Sequence, residues 1–120
     1  MAKKATIRLK RVYEEPSKDD GTRILVERLW PRGLRKERAA IDLRLKEVAL
    51  SADLRKWYGH DPDKWEAFRR RYRAELDAKR DVLDDLKRRL KEGTVTFVFA
   101  ARDEEHNSAL LLREYLESQG

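Results

Sequence analysis

Three short stretches hold most of the side chains able to do chemistry. Residues 102–107 read Arg102-Asp103-Glu104-Glu105-His106-Asn107. An arginine fork binds carboxylate or phosphate through paired N–H donors. Histidine exchanges protons near neutrality, and an adjacent aspartate can orient it. Residues 27–33 read Glu27-Arg28-Leu29-Trp30-Pro31-Arg32-Gly33. Here two arginines flank a tryptophan that offers a stacking face, Pro31 fixes the turn and Gly33 permits close backbone approach. Residues 57–61, Trp57-Tyr58-Gly59-His60-Asp61, carry the second of the two histidines. The candidate acid–base set is therefore His106, Asp103 and His60. The candidate ligand-binding set is Arg28, Trp30, Arg32, Trp57, Arg102 and Asn107. Each has a plainer reading: Asp103 as a helix cap, Trp30 as a core plug, Arg28 as half of an ion pair, His60 as a structural hydrogen-bonder.

These stretches need elements to place them. Residues 95–100 form an apolar, β-branched and aromatic run after Gly93, the pattern of a strand buried on both faces between parallel neighbours. A helix follows, with Ala109, Leu112 and Leu116 on one face. Asp103 suits its cap, with Glu104 and Glu105 in its first turn. Residues 5–13 alternate as a half-buried strand, Ile7, Leu9 and Val12 opposing Arg8, Lys10 and Arg11. Residues 23–30 make a second strand, stopped by Pro31. Residues 41–48 alternate again and are read as a third, although a short helix would tolerate the same residues. Ser51 caps a short helix through Trp57. Asp61-Pro62 opens the next helix, whose stripe is Trp65, Phe68, Tyr72 and Leu76. The stripe lapses at residues 77–81 and resumes at Val82, Leu83, Leu86 and Leu90. Either one helix bends near Lys79 or two meet there, and Gly93 closes the stretch. This order predicts one α/β domain over residues 1–120: a small, mainly parallel four-stranded sheet flanked by helices. Parallel strands deliver their following loops to one edge, so Arg28, Arg32, Arg102, Asp103 and His106 should converge at the carboxyl edge. Arginines gathered there must be paired, by Asp103 and Glu27, or hold an anion.

The bulk composition narrows the classes. In 120 residues, 43% are charged and 40% hydrophobic, which fits a small core under a charged shell. There is no cysteine, which excludes disulfides, zinc-thiolate sites and a thiol nucleophile. No apolar run approaches the roughly 20 residues of a membrane span, and no hydrophobic signal region follows the N-terminus. A cytoplasmic protein with no membrane partner is expected. The net charge of +6 favours anions, but 23 acidic residues are interleaved with the basic ones. Arg69, Arg70, Arg71 and Arg73 would suit a nucleic-acid backbone, yet Glu66, Glu75 and Asp77 sit beside them as surface ion-pair partners. His60, His106 and Asp103 have no recognised metal-ligand spacing, so no metal is expected. No Gly-rich phosphate loop, nucleophile elbow or His-Glu-x-x-His occurs, and no cofactor is expected.

Three segments together resemble the DUF488 family in its short YeaO-like branch. They are residues 20–33, residues 54–62 (Leu-Arg-Lys-Trp-Tyr-Gly-His-Asp-Pro) and residues 100–107. The resemblance spans roughly residues 6–117. It matches that family's motif at Arg28, Trp30, Pro31, Arg32, Gly33, Trp57, Gly59, His60, Arg102, Asp103, His106 and Asn107. It implies a compact prokaryotic α/β domain and supplies no reaction. Longer members carry a Cys-His-Arg motif after the last strand. The corresponding Glu105-His106-Asn107 has no cysteine, so thiol chemistry does not carry over. The expected function is binding, or turnover, of an anionic small molecule such as a phosphorylated metabolite or nucleotide. The alternatives are a nucleic-acid-binding or regulatory protein and a protein-interaction module.

Overall fold

The structure, a computed structural model, describes residues 7–59, 61–101 and 107–118. Four strands form one parallel sheet: β1 (Ile7–Arg11), β2 (Thr22–Leu25), β3 (Leu43–Arg44) and β4 (Val95–Phe99), in the order β1-β4-β2-β3. Five helices accompany them: α1 (Lys36–Ala39), α2 (Ala52–Tyr58), α3 (Trp65–Asp77), α4 (Arg80–Glu92) and α5 (Ser108–Ser118). The last strand is inserted between the first two and is buried along its whole length. This is the central position that its apolar residues require on both faces.

The two faces of the sheet are unlike. Ile7, Ile24, Val95, Phe97 and Phe99 point to one side, where the buried faces of α2, α3, α4 and α5 complete the main core. The other side holds a small cluster of Val12, Leu25 and Val98, with Trp30, Leu34, Ile41 and Ala100 packed on it. The amino half of that side is charged. Asp20 and Arg23 are buried there, and Asp20 takes hydrogen bonds from Arg23 (2.6 Å), Lys10 (3.2 Å) and the Ser17 N–H (2.9 Å). Arg23 also donates to the carbonyls of Ala39 and Ala40, closing the carboxyl end of α1 with a positive charge. Buried Thr96 donates to the Asp20 carbonyl at 2.7 Å. Each buried charge in this network is thus paired and hydrogen-bonded, as burial demands.

Several local expectations are met. Ser51 caps α2 through Leu54, and Gly59 ends it with a left-handed φ of 53°. Asp61 accepts from the Asp63 N–H, and Pro62 begins a short 3-10 turn that runs into α3. Two helices meet at Lys79 rather than one bending. The stripe would need apolar residues at 79 and 80, where the chain has Lys79 and Arg80.

Four expectations are corrected. β2 ends at Leu25, and Trp30 leaves the sheet to cover the second face. β3 is two residues long, and the rest of the alternating stretch becomes a 3-10 turn at Lys46–Val48. Leu45 and Val48 both reach the main core, a spacing of three that such a turn provides and a strand does not. Val12 joins the second face and not Ile7 and Leu9, because a period of two groups it with Lys10. The last helix starts at Ser108, and its cap is Asn107, whose Oδ1 accepts from the Leu110 N–H at 2.8 Å. Asp103 lies five residues before Ser108, outside the described residues.

Candidate functional site at the carboxyl edge of the sheet

β1, β2 and β4 all run parallel, so the loops that follow them emerge at one edge. These loops are tied together. Val12 donates its N–H to Phe99 (2.7 Å) and Val26 donates to Val98 (3.2 Å), extending the sheet by one position on each side of β4. Arg11 reaches across with its Nε to the Ala101 carbonyl at 3.1 Å.

The 27–33 loop is held by its backbone and by Trp30. Arg44 donates to the Arg28 carbonyl at 3.0 Å, and the Tyr13 hydroxyl donates to the Arg32 carbonyl at 3.1 Å. Trp30 donates its indole N–H to the Leu34 carbonyl at 2.8 Å, with the Arg44 guanidinium 5.9 Å from its ring centroid. Pro31 is buried, and Gly33 takes a φ of 72°, which suits glycine. The side chains of Arg28 and Arg32 are exposed and make no hydrogen bond or ion pair with a described residue. The loop is therefore held through its backbone while presenting two guanidinium groups that have no partner among the described residues.

Glu27 does something other than pair those arginines. Its Oε1 accepts the Ala100 N–H at 2.8 Å, across a sequence separation of 73 residues. Burial pushes its carboxyl above the ordinary glutamate range. The Ala100 N–H and the positive charge of Arg55 pull the other way without cancelling the shift. Burial, with the charges of Glu75 and Glu27 acting in the same direction, raises the hydroxyl of Tyr72 on α3. Tyr72 is fully buried, donates its hydroxyl to the Val48 carbonyl and is held far above its usual pKa by burial.

Of the other residues singled out by sequence, Trp57 is half-buried and packed among cations. Arg71 lies 4.1 Å and Lys64 5.2 Å from its ring centroid. Trp30 is half-buried and packs on the second sheet face. Asn107 is buried and caps α5. His60, Arg102, Asp103 and His106 lie outside the described residues, and with them the whole acid–base set. Among the described residues no cluster of three metal-ligating side chains occurs. Sequence reasoning missed Arg23 and Asp20, whose tertiary pairing has no local signature. It also missed the burial of Glu27, for which the only signal was a carboxylate directly after an apolar strand.

The arginine run on α3 is divided among neighbours. Arg69 pairs with Glu114 (3.0 Å) and Glu66 (3.5 Å). Arg73 donates to Ser118 and lies 5.6 Å from the Tyr115 ring centroid, while Arg71 stacks on Trp57. A recess of about 220 Å³ between α3 and α5 runs past Arg69, Arg70 and Arg73.

The fold and this edge define a class: a small parallel α/β protein whose strand ends present arginines, an aromatic loop and a half-buried carboxyl. The chain belongs to the DUF488 family. The family description that matches, over residues 6–120, is DUF488-N3i, the inactive DUF488-N3 subclade. Among curated relatives, the uncharacterized protein YeaO of Escherichia coli is 38% identical over 112 residues, covering 93% of this chain and 97% of that protein. The uncharacterized proteins Rv3073c of Mycobacterium tuberculosis and Mb3100c of Mycobacterium bovis are each 36% identical over 119 residues, covering 99% of this chain and all of theirs. No solved structure matches the chain. The resemblance noted from the three motif segments is thus a family membership.

Proposed function

We propose that this protein binds an anionic small molecule, a phosphorylated metabolite or nucleotide, at the carboxyl edge of its sheet. The observation that carries this reading is the state of the 27–33 loop. Its backbone is pinned by Arg44, Tyr13 and Trp30, while Arg28 and Arg32 project without an acidic partner among the described residues. A fixed backbone keeps the two arginines together at one edge, and each guanidinium can fork onto an anion. Arg102 is the third arginine of the reading, with Asp103, His106, His60 and Asn107 as its polar companions. The word "inactive" in the family description favours binding over turnover. A cytoplasmic setting goes with this reading. No helix among the described residues is long and apolar enough to cross a membrane.

The nucleic-acid reading has less support, because three of the four arginines on α3 are engaged with α2, α5 or α3 itself. The test is thermal unfolding with and without AMP or inorganic phosphate. A ligand at a hundred times its Kd stabilises the folded state by about 2.7 kcal/mol. Wild type should show a rise in Tm with at least one of the two, and the Arg28→Ala, Arg32→Ala double variant should show none. Equal protection of both proteins would move the site elsewhere.

A further inference from the structure

α3 and α5 are braced across a gap. Arg69 donates to Glu114 at 3.0 Å, and one turn further along Arg73 donates to Ser118 at 3.2 Å. Each brace spans 45 residues of chain, so the two helices run side by side in the same direction. They do not close on one another. The recess between them, about 220 Å³, reaches down to Tyr72, Leu76 and Leu111, all buried. That floor is apolar, because the Tyr72 hydroxyl is taken by the Val48 carbonyl. Tyr115 forms one wall, its ring pinned by a hydroxyl that donates to Asp77 at 2.5 Å.

The charged groups around the recess are unequally committed. Three arginines and two glutamates line it, which leaves the lining positive by one charge. Both glutamates are taken up by Arg69, Glu114 at 3.0 Å and Glu66 at 3.5 Å. Arg73 gives one nitrogen to Ser118 and lies 5.6 Å from the Tyr115 ring centroid, but a guanidinium has five N–H donors to offer. Arg70 is exposed and has no partner among the described residues. It precedes Arg73 by three positions, a spacing that puts both on one helix face.

We infer that this recess is a second binding site, for a small organic monoanion: a carboxylate carried on an aromatic ring or a branched apolar chain. Arg70 and Arg73 meet the carboxylate at the rim, where a guanidinium fork matches its two oxygens. The apolar body covers Leu76, Leu111 and the Tyr115 ring, so binding removes apolar surface from water on both sides. One negative charge answers the one positive charge that the glutamates leave unopposed. The space holds about seven waters at ~30 Å³ each and falls below the ~300–1,000 Å³ of pockets for drug-sized ligands, which limits the body to a single ring or a short chain. No residue of the 27–33 loop lines the recess, so this site stands apart from the carboxyl edge of the sheet.

The test is titration of the full chain with benzoate, read by amide proton–nitrogen NMR shifts, with acetate and benzyl alcohol as controls. Acetate carries the charge without the ring, and benzyl alcohol the ring without the charge. Wild type should bind benzoate at least about tenfold more tightly than either control. The largest shifts should fall in residues 66–76 and 111–118, the segments that line the recess. Arg70→Ala and Arg73→Gln should each lose about tenfold in benzoate affinity, while the Arg28→Ala, Arg32→Ala double variant should stay within about twofold of wild type. Arg70 is exposed, so its variant should fold as wild type does. Absence of benzoate binding, equal binding of a control, largest shifts elsewhere in the chain or full affinity in either helix variant overturns the assignment. Loss of benzoate binding in the loop double variant also overturns it, by moving the site to the carboxyl edge.

Discussion

Asp20 is where a single substitution should cost the most stability. It is 1% exposed and joins Ser17, Lys10 and Arg23. Burial by itself would raise its carboxyl, but the Ser17 N–H and the two cations outweigh that and hold it below the ordinary aspartate range. A depressed pKa contributes stability that is complete above the unfolded value and is lost as pH falls through the folded one. Wild type should therefore lose stability on acidification below about pH 4, and Asp20→Asn should show a flatter acid limb. At neutral pH Asp20→Asn should cost about 3 kcal/mol by urea titration, because a buried cation loses its partner. Glu27 has the opposite sign. Its raised carboxyl means that ionisation opposes folding, so that contribution is present in full below the unfolded pKa and fades as pH rises. Glu27→Gln should be more stable than wild type at pH 7, with the advantage vanishing in acid. A uniform loss at every pH would mean that the carboxylate is needed for folding. Arg28→Ala should change stability by no more than about 0.5 kcal/mol, since its guanidinium touches no described partner.

Among the elements, α5 and β2 make the most specific demands. Asn107→Ala should remove the α5 cap and cost about 1 kcal/mol, with Asn107→Ser restoring most of it. A loss of ligand affinity in Asn107→Ser at unchanged stability would give Asn107 a binding role beside its cap. β2 approaches β4 closely at its start. A Cβ on Gly21 would lie 2.1 Å from the Thr94 carbonyl oxygen, and the residue has a φ of 63°. Gly21→Ala combines a backbone clash with left-handed strain and should cost on the order of 2–3 kcal/mol in chemical denaturation. A neutral result would show that β2 can move away from β4 without loss, contrary to the pairing of Thr22 with Thr94.

For the molecule as a whole, the unlike sheet faces set where stability resides. The helix side buries Phe97, Ile24, Leu86 and Leu112 completely, while the second side is covered by the 27–35 loop, the short α1 and Ile41. Hydrogen exchange should find the β4 amides among the slowest and those of residues 27–35 far faster. Fast exchange in β4 would contradict its central position. The surplus charge of +6 is spread over faces whose arginines largely have partners. Binding to nucleic acid near physiological salt should accordingly be weak, indifferent to sequence and steeply reduced by added salt. Tight binding to a defined sequence would overturn the ranking of the two readings.

The sequence alone determined the strand nature of residues 95–99, the stripes of α3 and α4, the caps at Ser51 and Asp61 and a mainly parallel α/β class. These depend on neighbours within one or two turns, or on a strand's own apolar faces. Three unconnected motif segments were enough to indicate the family. The tertiary structure decided the strand order, the crowding of four helices onto one face and the return of Trp30 over the other. It also decided the pairing of Arg23 with α1 and the burial of Glu27. Each of these turns on contacts between residues far apart in the chain, such as Glu27 with Ala100 or Thr96 with Asp20. Hydrophobic periodicity states that a face is buried, but not against what. Only the assembled sheet brings a carboxylate from one strand end to the backbone of another.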